Sequence, residues 1–316
     1  MEDKKHQAYL HGHRGVVKTR LMWYDLCQWL YVASVLKCVD SQLADIDPSE
    51  GTTALDTTHA VRTSISYPSK LSLGLYNRGV METEIHRLSL GLTNCYLIKQ
   101  EGLILVDAGN PNKGKSFLKQ LKDLSIEPKD VSLILATHGH WDHIGSIGEL
   151  KDLTGCEIAV NEHEKDWLEL GLKPIPPAIS LWGKILSILS KIYMPFVKLT
   201  PTSVDLVLED KEFPLESYGI YGKVVYTPGH SLGSMSLLLD TGDAFVGDLA
   251  MNGLPVRIGP GMPAFAEDAV ALKESWRLVL DKGAKQIYPG HGKPFKAEEL
   301  EKAFLKESRT PLPSKG

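Results

Sequence analysis

Cysteine is scarce. Four stand in 316 residues, at positions 27, 38, 95 and 156, and no two form a C-x-x-C pair. That density excludes a disulfide scaffold and reads as buried free thiols in a reducing compartment, the cytoplasm. Basic charge is not in excess: 35 Lys and Arg face 39 Asp and Glu, a net charge of −4. A nucleic-acid partner, which needs a basic face to neutralise phosphates, is not expected. Long apolar runs are missing too. The nearest, "LCQWLYVASVL" (26–36), is bounded by Asp25 and Lys37. It falls short of the roughly 18 residues of a membrane span. It also lies too far in, and lacks the small-residue cleavage site, of a signal peptide. What is present, 43% hydrophobic and 23% charged residues, is the composition of a soluble chain with a sizeable core.

The first eighty residues differ from the rest. "MEDKKHQAYLHGHRGVVKTR" is polar and basic, Leu21 to Val39 fits a helix, and residues 40–69 are rich in Ser, Thr, Asp and Pro. The last stretch reads as linker or disorder. Met81 then opens "METEIHRLSLGLTNCYLI", the start of a compact domain. The expectation is an N-terminal extension over 1–80 and a catalytic domain over 81–316, with Met81 as the natural start. Peptides from 1–80 in mass spectrometry of the native protein would refute that start. "HGH" at 11–13 has no carboxylate beside it and is not read as a metal site.

Beyond Met81, strand signals are dense. "NCYLIKQEGLILVDAG" (94–109) fits two strands joined at "QEG". Helices are predicted at 113–126, 146–155 and 266–283, with a buried strand at 131–137, strand-and-turn units at 222–230, 233–240 and 243–250, and a last strand at 284–292. A strand and a helix share 157–170. Mixed hairpins and separate helices predict packed sheets with helices outside, an α+β arrangement. Polar residues recur where strands end: "LATHGH", "YTPGH" and "IYPGH" finish on His, "LVDAG" and "FVGDL" carry Asp. Loops at the ends of a rigid scaffold can bring such residues together.

The densest of these is "THGHWDH" (137–143), holding His138, His140, Asp142 and His143. The chain has only 11 His, so three within six positions beside an Asp are not a chance polar loop. Extended backbone aims His138 and His140 the same way. Imidazole nitrogens and carboxylate oxygens are ligands of zinc, iron and manganese. One-residue spacings strain a single tetrahedral site, and two metals relieve it. His230 in "TPGHS", Asp248 in "VGDL" and His291 in "YPGHG" supply the remaining ligands. Asp107 in "LVDAG" either holds a ligand loop from behind or shapes a turn. His59, His86 and His163 are read as surface or structural.

The order H-x-H-x-D-H, then His, Asp and His, resembles the metallo-β-lactamase-fold hydrolase superfamily over about residues 84–296. The resemblance implies a four-layer αββα sandwich with a dinuclear site at one edge. It assigns His138, His140 and His230 to one metal, Asp142, His143 and His291 to the second, and Asp248 to both. It implies two divalent ions, zinc first, with iron or manganese as alternatives. Two such ions outweigh two carboxylates and a hydroxide, and the remaining positive charge favours an anionic transition state. Bound water would have its pKa lowered to about 7, and Asp142 could orient the hydroxide.

Departures within the superfamily narrow the reaction. A carboxylate at 248 argues against true β-lactamases. "TPGHS" and "PGHG" look like the hydroxyacylglutathione hydrolases (glyoxalase II), but only 25 residues follow His291, short of that family's long glutathione-binding helical region. Lactonases of acyl-homoserine lactones are similar but carry a Tyr where this chain has Met251. Nuclease members show further motifs and a basic exosite. The expected reaction is hydrolysis of a small ester-like bond, a thioester or a lactone. The alternatives are single-iron redox or sulfur chemistry on the same fold, or β-lactamase or phosphodiesterase activity.

An insert at about 171–201 is framed by prolines. Leu181, Ile185, Ile188 and Ile192 keep helical spacing, and Trp182, Leu189 and Tyr193 widen the stripe. It fits a helix packed on the sandwich or a hydrophobic roof over the metals. A homodimer contact and a membrane-surface helix are further readings. The expected pocket for a small apolar substrate is Trp182, Ile185, Leu189 and Met251.

Overall fold

The computed structural model describes residues 82–253 and 259–308. The expected extension over 1–80, with its helix, its linker, His11, His13, His59, Cys27 and Cys38, lies outside the described residues.

Strands β1 (Glu84–Ser89), β2 (Asn94–Lys99), β3 (Leu103–Val106), β4 (Leu133–Leu135), β5 (Glu157–Asn161) and β6 (Leu206–Leu208) form one sheet in that order. Strands β7 (Phe213–Pro214), β8 (Gly222–Tyr226), β9 (Met235–Leu239) and β10 (Asp243–Gly247) enter a second. A short ribbon of β11 (Met251–Asn252) and β12 (Pro260–Gly261) follows. Then β13 (Gln286–Pro289) and β14 (Phe295–Lys296) complete the second sheet, ordered β14-β13-β10-β9-β8-β7. The helices are α1 (Gly114–Asp123), α2 (Trp141–Ile144), α3 (Ile147–Thr154), α4 (Lys165–Glu169), α5 (Leu181–Tyr193), α6 (Ala269–Asp281) and α7 (Ala297–Ser308).

The layering follows from the two-residue period of strands. Along β3, Leu103 and Leu105 pack outward with Phe117 of α1, Ile147 and Leu150 of α3 and Leu168 of α4. Ile104 and Val106, between and after them, pack inward with Leu237 and Phe245 of the second sheet. On that second sheet, Leu238, Ala244 and Val246 turn the other way, onto Leu272, Trp276 and Val279 of α6 and Leu300 of α7. Three apolar layers between four sets of elements make the αββα sandwich that the resemblance implied. Because both faces of β3, β4, β9 and β10 are covered, their residues are almost all buried.

The predicted β2–β3 hairpin forms, with Tyr96 opposite Val106 and Lys99 opposite Leu103. The sheets are mixed: β3 through β6 run parallel, as do β10 and β13. The strand predicted at 131–137 keeps only 133–135, because at Thr137 the backbone leaves the ladder and donates to the Asp107 carboxylate. The edge strands β6 and β7 and the terminal helix α7 add to the predicted elements. The two described cysteines, Cys95 and Cys156, are buried and free.

Strand direction decides where the site falls. Parallel neighbours β3 and β4 release Asp107 and the 137–143 loop from the same edge. β8 and β10 both run antiparallel to β9, and β13 runs parallel to β10. The loops bearing His230, Asp248 and His291 therefore leave one edge of the second sheet. Backbone bonds from Met235 N to Thr137 O (2.8 Å) and from Asn94 N to Gly290 O (2.7 Å) join the two edges.

Candidate metal centre

The 137–143 loop leaves β4 buried and enters α2 at His140, whose extended backbone opens the helix. The short helix turns Asp142 and His143 back toward His138, whose ring centre lies 4.0 Å from that of His143. The His230 and His140 rings are 4.8 Å apart and perpendicular. Ligand atoms of His138, His140 and His230 lie within 4.8 Å of one another. The same limit holds for Asp142, His143 and His291, and for His138, His143 and Asp248. The structure thus brings all seven sequence-predicted ligands together.

Asp248 stands at the junction. Its Oδ1 is 3.3 Å from His143 Nε2 and 3.5 Å from His291 Nε2, and its Oδ2 is 3.5 Å from His230 Nε2. His140 Nδ1 faces His230 Nε2 at 2.9 Å. His291 Nε2 faces Asp142 Oδ2 at 3.2 Å.

Outer contacts fix the tautomers. His143 Nδ1 donates to Asp107 Oδ2 at 2.8 Å, His230 Nδ1 to the Phe265 carbonyl at 2.9 Å, and His291 Nδ1 to the Leu92 carbonyl at 3.2 Å. Each leaves Nε2 facing the cluster, as a metal ligand requires. His138 Nδ1 lies 3.1 Å from Thr137 Oγ1, which itself donates to Asp107. Asp107 thus anchors both the loop and a ring. It holds a left-handed φ of 61°, which Asp tolerates better than most residues. Gly290 precedes His291 because a Cβ there would sit 2.6 Å from His143 Cε1 and 2.8 Å from Asp248 Oδ1.

The electrostatics fit a cation at this place. Burial would push the acid Asp248 up, but His291, His143 and His230 hold it well below the usual carboxylate range. Burial likewise opposes ionisation of Asp142, yet the hydrogen bond from His291 and the nearby His143 bring it to about 2. Burial lowers His140 to about 3 and also lowers His138 and His230. These three are neutral donors at neutral pH. His143 and His291 resist burial, raised by Asp248 and, respectively, Asp107 and Asp142. An arriving metal must displace their protons, so its affinity falls as pH falls.

Buried polar atoms without a partner test the fit directly. Among the described residues they are His138 Nε2, His140 Nε2, His143 Nε2, Asp248 Oδ1 and Trp182 Nε1. Buried polar atoms are nearly always satisfied, and four of these five point to one cluster of imidazoles and carboxylate. A divalent cation is the partner that donor set fits. Glu162, His163 and Asp210 form an exposed trio in which His163 pairs with Asp210 at 2.9 Å, a surface contact as expected. His86 lies against Glu84, half-buried.

The sequence matches the family model of the metallo-beta-lactamase superfamily over residues 88–291. The chain belongs to that superfamily. A probable metallo-hydrolase of Methanocaldococcus jannaschii is 28% identical over 205 residues, covering 63% of this chain and 87% of the relative. A probable metallo-hydrolase of Bacillus subtilis is 25% identical, covering 67% and 84%. In fold, the chain is similar to an archaeal superfamily protein from Sulfolobus tokodaii, with a TM-score of 0.54, 23% identity, and 73% and 89% of the two chains covered.

One residue of this superfamily member's site had no sequence signal. Glu164, lost in the polar run "NEHEKDW", is fully buried. Its carboxylate accepts the N–H of Gly139, between two cluster histidines, and that of Gly233 at 3.0 Å, three residues past His230. It therefore ties the 138–140 loop to the 230–233 loop. Trp167, three residues on, stacks on His140 and lies where a Cβ on Gly139 would fall, 2.8 Å from its Cε3. Burial raises Glu164 to about 7, against hydrogen bonds from Ser231, Gly139 and Gly233. The folded state then holds a proton that the unfolded chain, with its pKa near 4.5, releases. That stabilisation is complete below about 4.5 and is lost as pH rises through about 7. Glu164→Gln keeps the shape but sets an amide donor against a backbone donor, an expected loss of about 1–3 kcal/mol. Urea midpoints of both proteins across pH check this. The variant's deficit should be largest at acid pH and shrink through neutrality; a deficit independent of pH would remove Glu164 from this role.

The four expected pocket residues part company. Met251 is buried in β11, beside Asn252, whose N–H donates to the His291 carbonyl at 3.1 Å. Trp182 is partly shielded, while Ile185 and Leu189 are exposed. The insert is nevertheless tied to the site at both ends. Ile179 N bonds to Ala264 O beside Phe265, the residue that orients His230. The Tyr193 ring meets Trp141, inside the motif, edge-on at 5.6 Å.

Proposed function

We propose that this chain is a dinuclear metal-dependent hydrolase of a small ester-like bond, a thioester or a lactone. Hydrolysis rests on membership of the superfamily and on relatives described as probable metallo-hydrolases. The observation that carries the dinuclear reading is Asp248. One buried carboxylate faces His230 through one oxygen and His143 and His291 through the other. His138, His140 and His230 would hold the first ion, Asp142, His143 and His291 the second, and Asp248 both. Zinc is the first candidate, and the same donors suit iron and manganese.

When bound, the ions supply Lewis acidity and a water activated at neutral pH. The chain's own residues do the rest. Asp142, ionised and held by Thr93 Oγ1 at 3.3 Å, offers an oxygen that can orient the attacking water through its proton. Asp107 keeps the His143 proton on Nδ1. Of the expected pocket residues Met251 is buried and Trp182 partly shielded, and Trp182 Nε1 is a donor without a partner that a substrate oxygen would satisfy.

The test is a panel of acyl-thioesters, lactones, a β-lactam and a phosphodiester, each with and without chelator. Chelator-sensitive turnover of the thioesters or lactones is expected, with KM rising when Trp182 is replaced by Ala. Turnover of the phosphodiester or β-lactam alone would overturn the substrate class. One iron per chain with no turnover of any ester would favour the redox reading.

A further inference from the structure

The amphipathic helix α5 faces outward with the wrong residues for water. Of 14 large hydrophobic side chains exposed among the described residues, eight lie between Leu170 and Phe196. Leu181, Ile185, Ile188 and Ile192, a stripe whose facing the sequence left open, form an exposed row; Leu181 is 78% and Ile192 65% exposed. The inward face is instead Gly183 and Leu186, and Gly183 lies so close to the Ala264 carbonyl that a Cβ would sit 2.2 Å from it. The helix is thus pinned by its small face, and the large apolar face is left out.

The charge of this region is equally one-sided. From Gly171 to Val204 there are four lysines and no Asp or Glu, in a chain whose net charge is −4. Lys173 is used internally, donating to the Met194 and Val197 carbonyls at 2.9 and 2.6 Å. Lys184, Lys191 and Lys198 are exposed and form no ion pair with a described residue. Lys184 and Lys191 sit three and ten residues past Leu181, beside the apolar row on the helix surface.

An aliphatic row whose only charged companions along residues 171–204 are lysines matches a lipid surface of negative charge, whose acyl region takes the row and whose headgroups take the ammonium groups. A second copy of this chain fits worse. A two-fold contact through α5 would set each lysine row against its own image with no carboxylate between them. No described helix is long and apolar enough to cross a membrane, so the contact lies in the interface plane. We propose that α5 and the following turn through Phe196 dock this protein on anionic lipid bilayers. The docking holds whether or not the ester-hydrolase reading does. It would set Tyr193 and Trp141, and hence the metal centre, close to the bilayer surface.

The test is flotation of the full chain with vesicles of phosphatidylcholine alone and of phosphatidylcholine mixed with phosphatidylglycerol. Binding to the mixed vesicles, weakened by salt, is expected, and Ile188→Asp with Ile192→Asp should reduce it by about tenfold or more. Lys184→Glu with Lys191→Glu should remove the preference for phosphatidylglycerol. Both pairs are exposed, and an unchanged melting temperature shows that the variants fold. Failure to bind either vesicle, equal binding to both, or undiminished binding of the Ile188/Ile192 variant (which would place the contact elsewhere, as in residues 1–80) would each overturn the proposal. So would a dimer in solution that the same variant dissociates.

Discussion

Asp248→Asn is expected to lower kcat/KM by about a thousandfold or more on whichever substrate of the panel the wild type hydrolyses. Metal-ion catalysis contributes several kcal/mol of charge stabilisation, and each 1.36 kcal/mol is about tenfold in rate. Asp248 is the residue that the two histidine sets share, within 3.5 Å of His143, His230 and His291. The amide of Asn has nearly the carboxylate's shape, so packing survives. It carries no negative charge, and one of its two heavy atoms becomes a donor aimed at imidazole lone pairs. Metal content by elemental analysis should drop by at least one ion per chain alongside activity. A variant that keeps both ions and wild-type turnover would end the assignment of Asp248 as the shared ligand. The metal-free form of the wild type should also take up metal less readily as pH falls, since His143 and His291 hold protons there that the ion must displace.

The second large effect belongs to a residue that is not itself a candidate ligand but holds one, His143. Asp107→Ala should lower stability by about 3–5 kcal/mol, as removal of one partner of a buried charged pair does. Three donors lose their acceptor: Thr137 N–H at 2.8 Å, Thr137 Oγ1 at 3.0 Å and His143 Nδ1 at 2.8 Å. Ala also tolerates the left-handed backbone poorly. For a domain of this size the melting temperature should fall by roughly 10 °C. Asp107→Asn separates structure from positioning. Asn accepts from Thr137 and keeps the left-handed backbone, but its amide nitrogen opposes His143 Nδ1–H. The ring is then driven to carry its proton on Nε2, the atom facing Asp248. A modest loss of stability with a roughly 10–100-fold loss of metal affinity is expected, read by chelator competition. If the Asp107→Asn variant melted as low as the Asp107→Ala variant and bound metal normally, Asp107 would be a turn residue alone.

The seven candidate ligands were legible because they sit at strand ends in short, distinctive runs. Composition makes "THGHWDH" improbable by chance, and "TPGHS", "VGDL" and "YPGHG" repeat one local device, an apolar strand that stops at a polar side chain. The hairpin from Asn94 to Val106 was legible for the same local reason, its turn lying between two apolar runs. The αββα layering entered through the resemblance, and the alternation of Leu103, Ile104, Leu105 and Val106 between two cores shows its physical cause.

Tertiary structure alone decided three matters. The parallel pairing of β3 with β4 and β10 with β13 is a non-local choice, made by covering both faces of each sheet, and no window of sequence contains it. Glu164 became part of the site only through burial against Gly139 and Gly233; in sequence it is one acid among several. The direction of α5 was likewise undecided. Helical spacing marks an apolar stripe but not the side that turns inward. Here the close fit of Gly183 on the Ala264 backbone fixed that side and left Ile185, Ile188 and Ile192 facing out.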